Sequence, residues 1–341
     1  MPVREGRAST GVQPGASRTR HVIGYVLAVA GLAWVLHDVH FGSVFASMRH
    51  IRWVWVAPAI LFDVMSYVCQ GVRWRYLLRP VGSVSAAQAT QAIYAGLFTN
   101  EVTPLRAGEL VRAYLVSRWA GVRFLSIVPS IAAERLFDGV WLAIAIGITA
   151  MFVPLPRDLI VGGNVLGVIV IAATALFLFL VYGRRKDSAG DAAGSKREGH
   201  RSLARMVSHV AEGIGRIGLS RDSIASLLIS PLILVFQGIA LWIMMLAYGF
   251  PLSIWVGIAV FLIVHLGTAL PNAPSNIGTY QFFCVVGLTL FGIEKSAAVG
   301  FSFVAFFLLT LPLWILGLLA IARSGMTLPA IRHEIDRLMK G

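Results

Sequence analysis

Long apolar stretches separated by short polar segments dominate the chain. They cover residues 21–36, 53–70, 136–153, 159–182, 224–250, 254–270, 277–293 and 297–322. Most of them approach the roughly 20 apolar residues that a helix needs to cross a bilayer. The pattern therefore predicts an all-α polytopic membrane protein with about six to eight transmembrane helices.

Two apolar segments are interrupted by polar residues, proline and glycine. The breaks cover residues 99–109 and 270–281, and their prolines, Pro104 and Pro274, are 170 residues apart, about half the chain. Interrupted helices at corresponding positions of two halves are typical of a transporter's binding site. We therefore expect two pseudo-repeated halves, each with a broken or re-entrant helical hairpin. Two kinked but continuous spans are the alternative.

Basic residues between the apolar stretches predict the domain organisation and the orientation. The segment 183–222 is the only long polar interruption, with nine Lys/Arg against five acids. Cytoplasmic loops are enriched in Lys and Arg. We therefore expect a protein of the cell membrane whose two termini and linker face the cytoplasm. Arg73, Arg75 and Arg79 are assigned to a cytoplasmic loop after the second span. The predicted units are a disordered tail (1–20), an N-terminal membrane half (21–182), the linker (183–222), a C-terminal membrane half (223–322) and a tail (323–341).

Composition supports a membrane protein and excludes several other classes. Of the 341 residues, 57% are apolar and 13% are charged, whereas a soluble domain carries about 25% charge. The net charge of +13 would otherwise suggest a nucleic-acid partner, but the basic residues flank apolar spans, so no nucleic acid is expected. Cys69 and Cys284 both lie in apolar runs, which gives no disulfide framework, metal cluster or cofactor site.

Acidic residues in or beside apolar segments are the first candidates for function. Charge at the bilayer centre costs about 2.5–3.5 kcal/mol on insertion scales, so such residues must be paired, hydrated or functional. Asp63 and Gln70 are two helical turns apart and predict a polar stripe that faces the protein interior. A structural polar contact between helices is the alternative for Asp63. The acids in question are Asp63, Glu101, Glu109, Glu134 and Asp138.

The first break offers groups that could hold a phosphate. Proline leaves backbone groups unpaired that lipid cannot satisfy, so they must face protein, water or a ligand. A helix starting near Gly108 would present free N–H groups to an anion, and the Arg106 guanidinium can hold a phosphate bidentately. Glu109 and Arg112 can pair at i, i+3. The alternative is an internal Arg/Glu network that merely holds the broken helix.

A second charged group precedes the run at 136–153. Glu134 and Asp138 share a helical face, and Arg135 can reach Asp138. We expect these acids to pair with Arg106 or Arg112 across the helix packing. A proton relay is an alternative.

The sequence contains no signature of a familiar enzyme class. Metalloprotease, serine hydrolase, P-loop and dinucleotide-binding motifs are all missing from it. His265 lies deep in an apolar run, where a core histidine is the simpler interpretation. We therefore expect a transporter rather than an enzyme. A membrane enzyme or an accessory subunit of lipid-linked glycosyl or aminoacyl lipid synthesis is the alternative.

The breaks and the charged group together resemble a known family. Their pattern is Asn100-x-x-x-Pro104-x-Arg106-x-Gly108-Glu109-x-x-Arg112, then Glu134-Arg135-x-x-Asp138, and later Pro271-x-x-Pro274-x-x-x-Gly278. It is similar to the transmembrane part of lysylphosphatidylglycerol synthases, the flippase-like or UPF0104 family. The second break departs from the family pattern, with Ser275 and Asn276 in place of paired glycines and Gln281 in place of an acid.

The resemblance implies a membrane domain that binds and moves, or presents, a lipid with an anionic or aminoacylated head group. A lipid-modifying enzyme is a possible partner. Because the chain ends shortly after the last apolar run, we expect no aminoacyl transferase after it. The predicted substrate-binding residues are Asn100, Glu101, Pro104, Arg106, Gly108, Glu109, Arg112, Glu134, Arg135, Asp138, Asn272, Pro274, Asn276, Gly278 and Gln281, with no catalytic residue and no metal ligand among them.

Overall fold

The computed structural model describes residues 51–103, 107–155, 220–269 and 276–325, with single residues between 157 and 172. The described ranges are helical and contain no strand. Four helices, α1, α4, α5 and α8, are long and apolar enough to cross a membrane. The helices are α1 (Trp53–Leu78), α2 (Ala86–Val102), α3 (Gly108–Ala120), α4 (Phe124–Phe152), α5 (Arg221–Tyr248), α6 (Ile254–Ala269), α7 (Thr279–Leu290) and α8 (Lys295–Arg323).

The helices form two units with the same order of lengths. Helices α1 to α4 have 26, 17, 13 and 29 residues, and α5 to α8 have 28, 16, 12 and 29 residues. Helices α5 and α6 each start 168 residues after α1 and α2, and helices α7 and α8 start 171 residues after α3 and α4. The two predicted pseudo-repeated halves are therefore present as long, short, short and long helices.

The second unit runs in the opposite direction to the first. The backbone N–H of Arg52, just before α1, donates to the carbonyl of Ala247 near the end of α5, at 2.9 Å. At the other end, Arg79 forms an ion pair with Asp222 in the first turn of α5, at 2.5 Å. Helices α1 and α5 are therefore antiparallel, which is the arrangement of inverted repeats in transporters. We call these two ends of the bundle the Arg79 end and the Arg52 end.

The first pair of short helices forms a hairpin that returns to the Arg79 end. Gly82, in the loop before α2, lies beside Ala120 and Val122 at the end of α3. Further in, Gly96 of α2 faces Gly108 at the start of α3, and a Cβ on Gly96 would be 2.6 Å from the Gly108 carbonyl oxygen. The two glycines allow the backbones to touch close to the break.

The second pair of short helices forms the matching hairpin from the Arg52 end. Val260 of α6 lies beside Gly287 of α7, and Gly267 of α6 lies against the Phe283 ring. Helix α6 follows the end of α5, which is at the Arg52 end. The two hairpins therefore enter from opposite ends, and the alternative of two kinked continuous spans is wrong.

Local signals in the sequence explain where the helices begin and end. Ser85 and Gln88 form a capping box that starts α2, and the Ser220 hydroxyl accepts the N–H of Ser223 at the start of α5. Gly121 and Gly249 adopt left-handed conformations that end α3 and α5.

The outer face of the bundle is apolar, as a bilayer requires. Many large apolar side chains on the four long helices are exposed, although others, such as Trp74 and Phe301, are fully buried. Together with the lengths of the spans, this surface confirms a multi-span membrane protein. The exposed side chains include Leu61, Met65, Ile148, Leu228, Val235, Phe307, Ile315 and Leu319.

Two boundaries differ from the sequence prediction. Helix α4 begins at Phe124 rather than at residue 136, because residues 124–133 and the charged pair Glu134–Arg135 belong to the same helix as the apolar run. Helix α1 continues to Leu78, so placing Arg73 and Arg75 in a loop was wrong. The first predicted span (21–36), the N-terminal tail, the C-terminal tail after residue 325 and most of the 183–222 linker lie outside the described residues, and their assignments stay predictions.

Candidate functional site

Arg73 is the most buried charged residue of the described part of the chain. Its side chain is 1% exposed, and its Nη2 donates to Glu134 Oε1 at 2.5 Å. Its Nη1 forms an ion pair with Asp138 and contacts Ser230 Oγ of α5 at 3.3 Å. The sequence carried a signal for this position, because Arg73 continues the spacing of Asp63 and Gln70 by one more turn.

Glu134 lies between two guanidinium groups. Its Oε2 is 2.7 Å from Arg112 Nη1 of α3, while Oε1 accepts from Arg73 of α1. The Arg112 guanidinium stacks over the Trp74 ring, at 4.7 Å from the centroid, and Trp74 in turn donates to Ser130 Oγ at 3.0 Å. The expected pairing of Arg112 with an acid of α4 is thus formed, and it joins α1, α3 and α4. We call Arg73, Arg112 and Glu134 the buried triad.

The buried triad has unsatisfied donors. All three residues are at most 5% exposed, and the charges of the two guanidinium groups are matched by Glu134 and by Asp138, which pairs with Arg73. Within the described residues, Arg112 Nη2 and Arg73 Nε have no hydrogen-bond partner. A buried donor left unpaired costs about 1–3 kcal/mol. An anion placed beside these nitrogens would supply the missing hydrogen bonds.

A second ion pair connects the triad to the surface. Glu109 pairs with Arg135, whose side chain is 61% exposed, and Asp138 is 35% exposed. Arg112 therefore turns inward to Glu134 and Arg135 turns toward α3, instead of forming the pairs Glu109–Arg112 and Arg135–Asp138 that the helical spacing allows. Polar groups thus lead from the outer surface of α3 and α4 to the triad.

His265, on α6 of the second hairpin, lies near the charged residues of α4. It interacts electrostatically with both Asp138 and Arg135, and its ring packs on Phe261, with centroids 5.4 Å apart. The sequence analysis treated His265 as a core residue. Its position on α6, a short helix beside a break, was the signal that could have placed it near the charged group.

The first break is shaped by a side chain that caps the next helix. Asn100 Oδ1 accepts the backbone N–H of Gly108 at 2.8 Å. This N–H of the helix start is therefore occupied rather than free for an anion. Glu101, one residue on, lines an open groove of about 400 Å³ whose other walls are apolar; they are Phe98, Val102, Trp314, Ile315 and Leu318.

The second break uses its polar residues in the hairpin itself. Gln281 is 1% exposed, and its Oε1 accepts the N–H of Gly278 at 2.7 Å. Asn276 has a φ of 54°, which shapes the turn before α7. The contacts described for Gln281 and Gly278 are thus within this hairpin and do not reach the triad.

Four predicted site residues lie outside the described part of the chain. They are Pro104, Arg106, Asn272 and Pro274, so phosphate binding by Arg106 stays a prediction. Of the polar stripe, Asp63 is 6% exposed and Gln70 is partly buried. The described residues hold no group of three or more His, Cys, Asp or Glu that could bind a metal ion.

Comparison with known proteins gives one family and several relatives. Residues 21–317 match the family described as "Lysylphosphatidylglycerol synthase TM region". A UPF0104 membrane protein of Methanothermobacter thermautotrophicus is 24% identical over 80% of this chain and 86% of its own. UPF0104 membrane protein MJ1595 of Methanocaldococcus jannaschii is 20% identical over 72% of this chain and 77% of its own length.

A further relative is similar over a shorter stretch. The glycosyltransferase AglD of Haloferax volcanii is 34% identical over 122 residues, which are 36% of this chain. The match spans 20% of the length of that glycosyltransferase.

Proposed function

Because the chain belongs to the lysylphosphatidylglycerol synthase transmembrane family, we propose that it is a flippase-like protein of the cell membrane. In this proposal it binds the phosphate of a lipid head group at the buried triad. It then moves that head group across the bilayer, or presents it to a partner, while the acyl chains stay in the surrounding lipid.

The unsatisfied guanidinium donors of the buried triad are the observation that supports the proposal most. Arg73 and Arg112 are at most 5% exposed, and Arg73 Nε has no hydrogen-bond partner in the described part. Arg112 Nη2 has no partner in the described part, and the Trp74 ring fixes the plane of its guanidinium. A planar guanidinium with free N–H groups suits a phosphate oxygen.

The two hairpins support movement rather than static binding. They enter the bundle from opposite ends, and each brings polar residues to the charged cluster: Arg112 comes from the first hairpin and His265 from the second. Rocking one inverted repeat against the other would change which end of the bundle reaches the triad. The open groove beside Glu101 is apolar on its other walls and suits an acyl chain.

The charge distribution favours the Arg79 end as cytoplasmic. Among the described residues, Arg75, Arg79, Arg118, Arg123, Arg221 and Arg323 lie at that end, against Arg52, Arg157 and Lys295 at the other. Positive residues accumulate on the cytoplasmic side of membrane proteins. In the proposal both termini are therefore cytoplasmic, and the head group enters from the cytoplasmic leaflet.

Transbilayer movement of a labelled phospholipid tests the proposal. The full chain is reconstituted into liposomes with a trace of phospholipid carrying a fluorescent head group, and a membrane-impermeant reductant quenches the outer leaflet. We expect faster loss of the protected signal than in protein-free liposomes. Arg112→Lys should slow it at least tenfold, because an ammonium cannot replace the planar pair of donors. Equal rates with and without the protein would overturn the proposal.

A membrane partner of a glycosyltransferase is a second candidate function. The similarity to part of the glycosyltransferase AglD favours it, since that protein joins a similar stretch to a much longer chain. Affinity purification of the tagged full chain from its native membrane distinguishes the two candidates. A lipid-modifying enzyme recovered in a constant ratio would favour the second, and the full chain alone with bound phospholipid would favour the first.

A further inference from the structure

A second buried acid lies deeper in the bundle than the triad. Asp63 is ten residues from the start of α1, or about 15 Å at 1.5 Å per residue. That is about half of the roughly 30 Å hydrocarbon thickness of a bilayer. Arg73 is ten residues further along the same helix, toward the Arg79 end. Asp63 therefore lies near the membrane centre, about 15 Å along α1 from Arg73 of the buried triad.

No basic group faces Asp63 in the described part of the chain. The side chain is 6% exposed, and its carboxylate accepts a hydrogen bond from Tyr67, one turn along α1. It also interacts electrostatically with Tyr94 on α2 and Tyr280 on α7. Glu101 interacts with Tyr67, and Cys284 interacts with Tyr280. Helix α5, which packs along α1, has no charged side chain from Ser223 to Tyr248.

Asp63 therefore differs from Glu134, which has two guanidinium groups as partners. A buried, unpaired carboxylate costs several kcal/mol or more, and such a group in a membrane is neutralised or functional. In the described residues, Asp63 Oδ2 and the Tyr94 hydroxyl both have no hydrogen-bond partner. The rings of Tyr67 and Tyr94 are in edge contact, with centroids 5.6 Å apart, so Tyr94 packs against the tyrosine that donates to Asp63.

We propose that Asp63 is a proton-binding site at the centre of the bundle, distinct from the buried triad. The proton comes from water, forms an O–H bond on Oδ2 and returns to water when it is released, so no other reactant is needed. The protonated acid can donate to the Tyr94 hydroxyl while it still accepts from Tyr67. A proton suits this cluster better than a metal ion, because one carboxylate and hydroxyl groups provide few anionic ligands.

The position of this site connects the two hairpins. Tyr94 and Glu101 belong to the first hairpin, and Tyr280 belongs to the second. Ionisation of Asp63 would place a second negative charge near Glu101 and would remove the donor for Tyr94. Gain or loss of the proton therefore changes the contacts of the first hairpin with α1, the kind of change that can drive a rocking step.

Infrared spectroscopy of the purified full chain in lipid nanodiscs tests the proposal without any transport assay. A solvated Asp with a pKa of about 3.9 is ionised at about pH 6. At that pH the wild type should still show the C=O band of one protonated carboxyl group. The band should disappear in Asp63→Asn. It should remain in Glu294→Gln, which alters an exposed acid at the Arg52 end.

Absence of the band in the wild type, or its persistence in Asp63→Asn, would overturn the proposal. So would a loss of the band on adding NaCl but not choline chloride, because a metal ion would then occupy the site. If Asp63→Asn does not fold, Tyr94→Phe provides the second test. It should shift the band to higher frequency by removing the acceptor of the acid proton, and an unchanged frequency would contradict the assigned cluster.

Discussion

Glu134 holds the two arginines of the buried triad together. It separates the guanidinium groups of Arg73 and Arg112, and it is 2% exposed. Asp138 also pairs with Arg73, but it is partly exposed and does not reach Arg112 in the described contacts. Removal of the Glu134 charge would therefore leave the buried Arg112 without an anion, and Arg73 with the partly exposed Asp138 alone.

We predict that Glu134→Gln lowers stability by about 3–5 kcal/mol, the usual cost of breaking a buried ion pair from one side. Thermal unfolding of the purified protein in detergent measures this. Asp222→Asn is the matched control, because Asp222 pairs with the exposed Arg79 and such pairs contribute about 0–1 kcal/mol. Equal losses in the two variants would show that the triad is not held as described.

The sequence predicted part of this cluster and missed its centre. The polar residues around the first break and the group at 134–138 indicated that acids of α4 meet arginines of α3. Arg73 was missed because it lies close to Arg75 and Arg79, and a run of arginines after an apolar stretch is typical of a cytoplasmic loop. Which acid pairs with which arginine depends on helix rotation and packing, and spacing along the chain does not determine those.

The hairpin of α2 and α3 depends on two glycines that touch. A Cβ on Gly108 would overlap the carbonyl of Gly96 and lie 2.7 Å from Asn100 Oδ1, which caps the next helix. Any side chain here would separate the helices and move Arg112, which is one turn further along α3. The close packing beside the break therefore positions the Arg112 side chain.

We predict that Gly108→Ala destabilises the protein by at least 1 kcal/mol, in the range found for overpacked sites, and slows lipid movement. Gly147→Ala in α4 is the matched control, because nothing lies within 4 Å of its added Cβ. Since alanine is the better helix former by about 1 kcal/mol, this control should be neutral or stabilising. The two melting temperatures are compared, and a neutral Gly108→Ala would contradict the close approach.

Helix existence was predictable from the sequence, whereas helix ends were less so. The apolar runs at 224–250 and 297–322 predicted α5 and α8 within a few residues. The start of α4 was missed by 12 residues, since Glu134 and Arg135 separate residues 124–133 from the apolar run at 136–153. The short helices were recognised because proline and glycine mark their breaks, but their antiparallel packing needed three-dimensional contacts.

At the scale of the whole molecule, the inverted repeat is symmetric in its helices and asymmetric in its charges. With the offsets of 168 and 171 residues, Arg73, Arg112 and Glu134 correspond to Leu241, Phe283 and Ala305. The second unit therefore has no copy of the triad at these positions. This asymmetry explains why the repeat is faint in the sequence, and it makes the Arg79 end the side from which a head group would approach.

The orientation proposed for the bundle predicts opposite accessibility of two serines. Ser83 lies in an exposed loop at the Arg79 end, and Ser253 lies in an exposed loop at the Arg52 end. With both native cysteines replaced by alanine, Ser83→Cys should react with a membrane-impermeant maleimide only after the cells are opened. Ser253→Cys should react in intact cells. The reverse pattern would contradict the orientation.

The central claim is that the triad binds the phosphate of a lipid, and the lipid retained by the purified protein tests it most directly. The decisive variant is the double change Arg112→Gln with Glu134→Gln, because removal of both charges leaves Arg73 paired with Asp138 and no buried charge without a partner. Its matched control is the double change Arg79→Gln with Asp222→Asn, an exposed ion pair at the same end of the bundle.

Native mass spectrometry in mild detergent counts the phospholipid bound to each form. We predict that the wild type and the Arg79/Asp222 double variant retain phospholipid equally. The Arg112/Glu134 double variant should fold with a similar melting temperature and retain at least tenfold less, which corresponds to about 1.4 kcal/mol of binding free energy. Wild-type retention by a well-folded Arg112/Glu134 double variant would contradict the claim, because the ion pair would then serve the fold alone.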